Sequence, residues 1–160
     1  MKTPEVKVKV KVITVGPSLD DAISLATSAH KGQKDKQGLP YILHPLRVML
    51  KFNDPLAQMV AVLHDTLEDT PVTLGLLRLM DYPKEVVEAL AAISRAKMVE
   101  NYTDYVERCR KNFIARWVKL ADIADNLDRI DGLPDAEERE SLKRRYTDAK
   151  ARLLSDHRVY

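Results

Sequence analysis

One stretch constrains this chain more than any other: an apolar run from Met59 to Leu63 that ends in His64-Asp65-Thr66-Leu67-Glu68-Asp69-Thr70. On one continuous helix, His64, Asp65, Glu68 and Asp69 fall within an arc of roughly 140°. His64 and Glu68 are then i,i+4 neighbours, as are Asp65 and Asp69. Carboxylates this close repel one another unless a cation or several donors sit among them. An imidazole beside carboxylates also suits a divalent metal. The apolar lead-in places this helix end in the interior, where unpaired charge is costly. An exposed acidic helix terminus is the alternative that these residues alone leave open.

Periodicity places the remaining elements. Apolar residues recur at helical spacing from Ser18 onward, and Gly16, Gly32, Gly38 and Gly132 fall at breaks, so the predicted fold class is all-α. The predicted helices cover about 18–31, 45–53, 55–69, 74–80, 84–96, 101–111, 113–130 and 135–155, with a frayed tail from His157 to Tyr160. Val6 to Val12 alternates valine with lysine, the pattern of a short extended segment. It is read as an N-terminal arm over 1–16, ahead of one domain over 17–156. The arm could pair with the same segment of a second copy, giving a homo-oligomer, or touch anionic ligands; its lysines discourage uncontrolled edge pairing.

A chain of 160 residues with 45% apolar content can bury one full core. With 26 basic against 24 acidic groups, it lacks the basic footprint of a nucleic-acid-binding domain. No apolar run approaches the ~18 residues of a membrane span, and the N-terminus has no signal-like apolar region. Cys109 is the single cysteine, so there is no intramolecular disulfide framework. These features predict a soluble, cytoplasmic protein with no nucleic-acid or membrane partner. Arg108 and Arg110 could lower the pKa of the Cys109 thiol, although a core cysteine is the simpler reading.

Other polar groups interrupt apolar stretches. His44 lies between Tyr41-Ile42-Leu43 and Pro45; with Pro45 at the first helical position, His44 falls at or beside the N-cap. Asp122 follows Val118-Lys119-Leu120-Ala121 and so points inward or into a cleft, with Asp125 and Asn126 one turn on. An inward aspartate could instead pair with Arg47 or Arg116. His30 ends its helix as a capping or packing residue. The loop 31–40, with Lys31, Lys34 and Lys36, reads either as an anion-binding loop or as a solvated one. Lys143, Arg144 and Arg145 read as a solvated face. His44, His64, Asp65 and Asp122 thus supply two imidazoles and two carboxylates from three helices, a set that suits a divalent ion with positions left for water and substrate. Glu68 and Asp69 would orient or deprotonate that water.

Together these residues resemble the signature of the HD-domain metal-dependent phosphohydrolases. Ala29-His30-Lys31-Gly32-Gln33, Gly38-Leu39-Pro40-Tyr41-Ile42-Leu43-His44-Pro45, Leu63 to Thr70, and Val118 to Asp122 with Asn126 are similar to the hydrolase domain of the Rel/Spo family, over about residues 18–130. The resemblance implies an HD-type helical bundle and a manganese-dependent hydrolase that removes pyrophosphate from the 3′ position of the nucleotide (p)ppGpp. It implies His44, His64, Asp65 and Asp122 as ligands of Mn2+ or another divalent transition metal. Glu68 and Asp69 match the pair that activates water. Asn126 and Lys36 match nucleotide contacts, and Arg47 lies beside the site as a further substrate contact. One position departs: the family usually has an arginine where this chain has Asp35, and an aspartate cannot stack on a base or meet a phosphate as a guanidinium does. Open readings are therefore hydrolysis of guanosine 3′,5′-bis(diphosphate), hydrolysis of another nucleotide or phosphoester, or a non-catalytic nucleotide-binding module.

Overall fold

The computed structural model describes residues 16–96 and 98–155. These residues form α1 (Leu19–Ala29), α2 (Leu43–Met49), α3 (Pro55–Leu63), α4 (Thr66–Asp69), α5 (Leu74–Leu79), α6 (Lys84–Ile93), α7 (Tyr102–Lys111), α8 (Phe113–Arg129) and α9 (Ala136–Leu154). A short 3-10 turn, Ile130–Gly132, joins α8 to α9. Among the described residues there is no strand, and the fold is all-α as the periodicity predicts. The Val-Lys arm and the tail from His157 to Tyr160 lie outside the described residues.

The axis of the core is α3. Asp54 caps it by accepting the Ala57 N–H at 2.8 Å, and Pro55 starts it with a pre-set φ. Val60, Ala61, Val62 and Leu63 are fully buried in succession, so the C-terminal half of α3 is apolar on every side and must be wrapped. It packs against α1, α2, α6 and α8. Ala22 and Ala26 on α1, both fully buried, allow that helix to approach closely. Each large aliphatic side chain buried here contributes roughly 1.5–3 kcal/mol. Asn112 caps α8 through the Ala115 N–H, and Val118 and Ile123 turn that helix toward α3. The wrapping brings α2 and α8 to the C-terminal end of α3.

The predicted single helix over 55–69 is broken at His64-Asp65. Two side chains take carbonyls that a continuing helix would give to later N–H groups. A His64 ring nitrogen bonds Ala61 O at 2.7 Å, and the Thr66 hydroxyl donates to Leu63 O at 2.7 Å. The Asp65 carbonyl then accepts the Glu68 and Asp69 N–H groups and starts α4. The arc expected on a straight helix therefore does not exist. The predicted helix start at Pro45 also moves: α2 begins at Leu43, so His44 lies inside the first turn. Proline is tolerated there because first-turn N–H groups have no intrahelical partner.

The helix predicted to reach residue 96 stops at Ile93, where side chains of α7 occupy its last carbonyls. Tyr105 Oη donates to Ile93 O at 2.6 Å, and Arg108 donates to the carbonyls of Ala91, Ala92 and Ser94. Cys109 Sγ donates to Ala92 O, and burial pushes the thiol up to about 11, in line with a core cysteine and not with the lowering its arginine neighbours could cause.

The loop between α1 and α2 is clasped to the end of α8. Gln37 Nε2 donates to the Arg129 carbonyl at 3.1 Å, and Arg129 Nη2 donates back to Gln37 Oε1 at 2.8 Å. Gly132 leaves room for this exchange, because a Cβ there would lie 2.3 Å from Gln37 Nε2. Gly132→Ala is expected to break the clasp at a cost of about 1–2 kcal/mol, the worth of two ordinary hydrogen bonds. Urea unfolding measures that cost. Hydrogen exchange should quicken over residues 33–40, and unchanged exchange there would show that the clasp does not hold the loop.

Candidate active site

Three segments converge at the C-terminal end of α3. The first turn of α2 supplies His44, the break after α3 supplies His64 and Asp65, and the middle of α8 supplies Asp122. His44, His64 and Asp65 each offer a ligand atom, all within 4.8 Å of one another. His64 Nε2 lies 3.0 Å from Asp65 Oδ2 and 3.7 Å from Asp122 Oδ1. His44 Nε2 lies 3.1 Å from Asp122 Oδ1 and 3.7 Å from Asp65 Oδ2. Adjacent ligands on one ion at about 2.1 Å stand roughly 3.0–3.4 Å apart. His64 Nε2 is buried and has no aligned hydrogen bond, although Asp65 is so near. Proximity without alignment is what results when donor atoms aim at a shared point and not at each other.

The far side of each imidazole sets its tautomer. His64 Nδ1 faces the Ala61 carbonyl, which can only accept, so the proton sits on Nδ1 and the Nε2 lone pair faces the centre. His44 Nδ1 bonds Asp125 Oδ2 at 2.8 Å and leaves Nε2 turned the same way. The carboxylates are held as firmly. Tyr41 Oη donates to Asp65 Oδ2 at 2.5 Å. Lys119 Nζ lies 2.7 Å from Asp122 Oδ2, and Asn126 Nδ2 donates to Asp122 Oδ1 at 2.6 Å. The donor set and its spacing fit a divalent cation.

The electrostatics agree with that fit. Burial opposes ionisation of Asp65 and Asp122, yet His64 beside Asp65 and Lys119 beside Asp122 hold both carboxyls below their usual range. Burial likewise opposes charging His64, but Asp65 and Asp122 prevail and raise its pKa well above the ordinary value. The carboxylates thus favour positive charge at Nε2, which a proton or a divalent ion can supply. Tyr41 is pushed far up by burial and by Asp65, so it remains a donor.

A cavity of about 490 Å³ opens over this cluster, and Glu68, Asp69, Lys36, Arg47 and Asn126 all line it. Glu68 Oε1 accepts the Arg95 main-chain N–H at 2.8 Å, and the Asp69 carbonyl accepts from Gln33 Nε2 at 2.9 Å. Lys36 pairs with Glu138 on α9. Asp122 pairs with Lys119 and with neither of the arginines that the sequence left open as alternatives. Arg47 makes two 2.9 Å bonds to Asp125, and Arg116 Nε is buried without a partner. His30 is a packing residue, its Nδ1 on Gln33 and its ring 5.0 Å from that of Tyr41.

Sequence reasoning gave no role to Asp125, Tyr41, Lys119 or Arg129. Asp125 had a usable signal, since it lies i+3 from Asp122 and shares its helix face. Arg129 had none. It reaches Asp35 at 3.3 Å across 94 residues of chain. Asp35 also accepts the N–H groups of Gln37 and Leu39, so its carboxylate organises its own loop.

No family model matches the chain. It is 34% identical over 116 residues to the guanosine-3′,5′-bis(diphosphate) 3′-pyrophosphohydrolase of Aquifex aeolicus, covering 66% of this chain and 17% of that protein. It is 32% identical over 136 residues to the bifunctional (p)ppGpp synthase/hydrolase SpoT of Escherichia coli K12, covering 76% of this chain and 19% of SpoT. The chain therefore spans less than a fifth of these relatives' own length. A solved structure described as a metazoan orthologue of SpoT that hydrolyses ppGpp superposes with a TM-score of 0.77 at 23% identity, over 89% of each chain, and shares this helical fold.

A cation held only by the folded chain stabilises it by about 2.7 kcal/mol when present at 100 times its Kd. Titration with Mn2+ is expected to raise Tm, and His64→Ala to abolish the rise. An equal rise in both proteins, measured by calorimetry, would place the ion elsewhere.

Proposed function

The chain is a homologue of the hydrolase region of the SpoT and Rel proteins, and from that premise we propose that it is an HD-type, metal-dependent phosphohydrolase of a nucleotide, cleaving the 3′-diphosphate of guanosine 3′,5′-bis(diphosphate) or a close analogue. The observation that carries this reading is the pair of Nδ1-anchored imidazoles whose Nε2 atoms converge with Asp65 and Asp122 under a nucleotide-sized cavity.

We assign His44, His64, Asp65 and Asp122 as the ligands of a divalent transition metal, which a mixed imidazole and carboxylate set suits, and take manganese as the ion because the family resemblance implies it. When bound, such an ion supplies Lewis acidity and brings the pKa of water toward neutrality. Glu68 and Asp69, on the cavity wall, take the proton of the attacking water. Its oxygen forms a bond to the phosphorus nearest the ribose as the bond from that phosphorus to the 3′ oxygen breaks; pyrophosphate is released, and the 3′ oxygen takes up a proton from solvent to leave as the hydroxyl. Lys119 and Asn126 hold Asp122 in place through this step, and Tyr41 holds Asp65. Asn126 and Lys36 contact the nucleotide. Arg47 is placed as a positioning residue, because its guanidinium is spent on Asp125 and so orients His44.

A second reading, the same chemistry on a different nucleotide, is favoured by Asp35. Its carboxylate faces its own loop amides and Arg129, so the guanidinium on this side of the cavity comes from α8 and not from the loop.

Manganese-loaded protein is expected to release pyrophosphate from ppGpp, and Asp65→Asn to lose the activity. Glu68→Gln should lower kcat by about 10²–10⁴-fold while metal binding persists. Release from other nucleotides alone would select the second reading. Tight nucleotide binding without turnover in any metal form would overturn the hydrolase assignment.

A further inference from the structure

Away from the cavity, α5 leaves an apolar face uncovered among the described residues. The helix is seated on α6 by Leu77, which is fully buried, and Thr73 caps it by accepting the Leu76 N–H at 3.1 Å. Its outer side carries Leu76, Leu79 and Met80, spaced i, i+3 and i+4 and so within an arc of about 100°. Leu79 is 84% exposed, and Leu76 and Met80 are each 38% exposed. Gly75, one turn before Leu79, adds no side chain, and a Cβ there would meet only Thr73 Oγ1, at 3.7 Å. Three large apolar side chains beside a bare glycine make a surface that loses free energy to water until something covers it.

The position of Gly16, the first described residue, points to the cover. Gly16 lies so close to the turn between α5 and α6 that a Cβ would stand 2.9 Å from the Asp81 carbonyl oxygen. Asp81 follows Met80 directly and takes a φ of 62°, which turns the chain sharply there. The chain therefore joins the domain at the end of the apolar face. The residues just before Gly16 are Val12-Ile13-Thr14-Val15, four in a row without a charge, whereas the lysines lie further back at Lys7, Lys9 and Lys11. Six helical residues rise about 9 Å, and four extended residues span about 13 Å, so the lengths match. Ile13 and Val15 fall on one side of an extended chain.

We propose that the outer face of α5 is the docking surface for Val12 to Val15 of the same chain, with Ile13 and Val15 set against Leu76, Leu79 and Met80. Attachment at Gly16 favours the chain's own segment over a second copy, because a short tether costs little closure entropy and gives a high effective concentration. No residue of α5 lines the nucleotide cavity, so this surface stands apart from the hydrolase reading.

Paired cysteines in the full-length chain test the seat. Ile13→Cys with Leu79→Cys is expected to form a disulfide within the monomer on mild oxidation, about 5-fold faster than Val8→Cys with Leu79→Cys. Cys109 is buried and does not compete. Thermal melts give a second measure. Leu79→Ser and Ile13→Ser should each lower Tm, and the double variant should fall no further than the larger single loss, because both remove the same contact. Equal cross-linking rates at the two positions, or additive losses in Tm, overturn the docking. Disulfides formed only between chains assign the face to a second copy and overturn it as well.

Discussion

Two imidazoles and two carboxylates share a space of a few ångströms at the buried end of an apolar helix, and the rest of the molecule is arranged around that expense. His64 and Asp122 are 2% and 4% exposed, so water does little to screen them. Charge held at such depth persists only when its counter-charge and hydrogen bonds are built in. Convergence of α2, α3 and α8 supplies those partners, and packing around α3 decides that the three helices meet there.

Each member of the cluster is held from behind by a second contact. Asp125 steadies His44 and is itself neutralised by Arg47, while a main-chain carbonyl steadies His64. Tyr41 steadies Asp65, and Lys119 with Asn126 steady Asp122. This rear support turns four mobile side chains into a pre-organised set, which lowers the reorganisation needed to accept a cation. The helix break at His64-Asp65 belongs to the same design, since the side chains that interrupt α3 are the ones that place His64 and begin α4.

The cavity above the cluster is not uniformly basic. On the side of the loop between α1 and α2, Lys36 and Arg129 are paired with acids of the chain. On the side of Tyr102, Arg145 stacks on tyrosine with no such pairing. Lys34 of the same loop also lines the cavity, so a ligand entering it meets an ammonium on one side and a guanidinium on the other.

Much of this was legible in the sequence. Helical periodicity predicts the all-α class, and His44, His64, Asp65 and Asp122 each stand out because they interrupt apolar runs that burial demands. Their partners were not legible to the same degree. Lys119, three residues before Asp122, looks like any surface lysine until α7 closes Tyr105 over it, with the ammonium 5.4 Å from the ring. Arg145 stays exposed as one of three surface cations, and what α9 adds is its place beside two aromatic rings. Asp35 and Arg129 meet across 94 residues. A sequence determines which side chains are too costly to expose or to bury alone, because that depends on residue type and period. Which distant group relieves the cost depends on how helices cross, and only tertiary packing decides that.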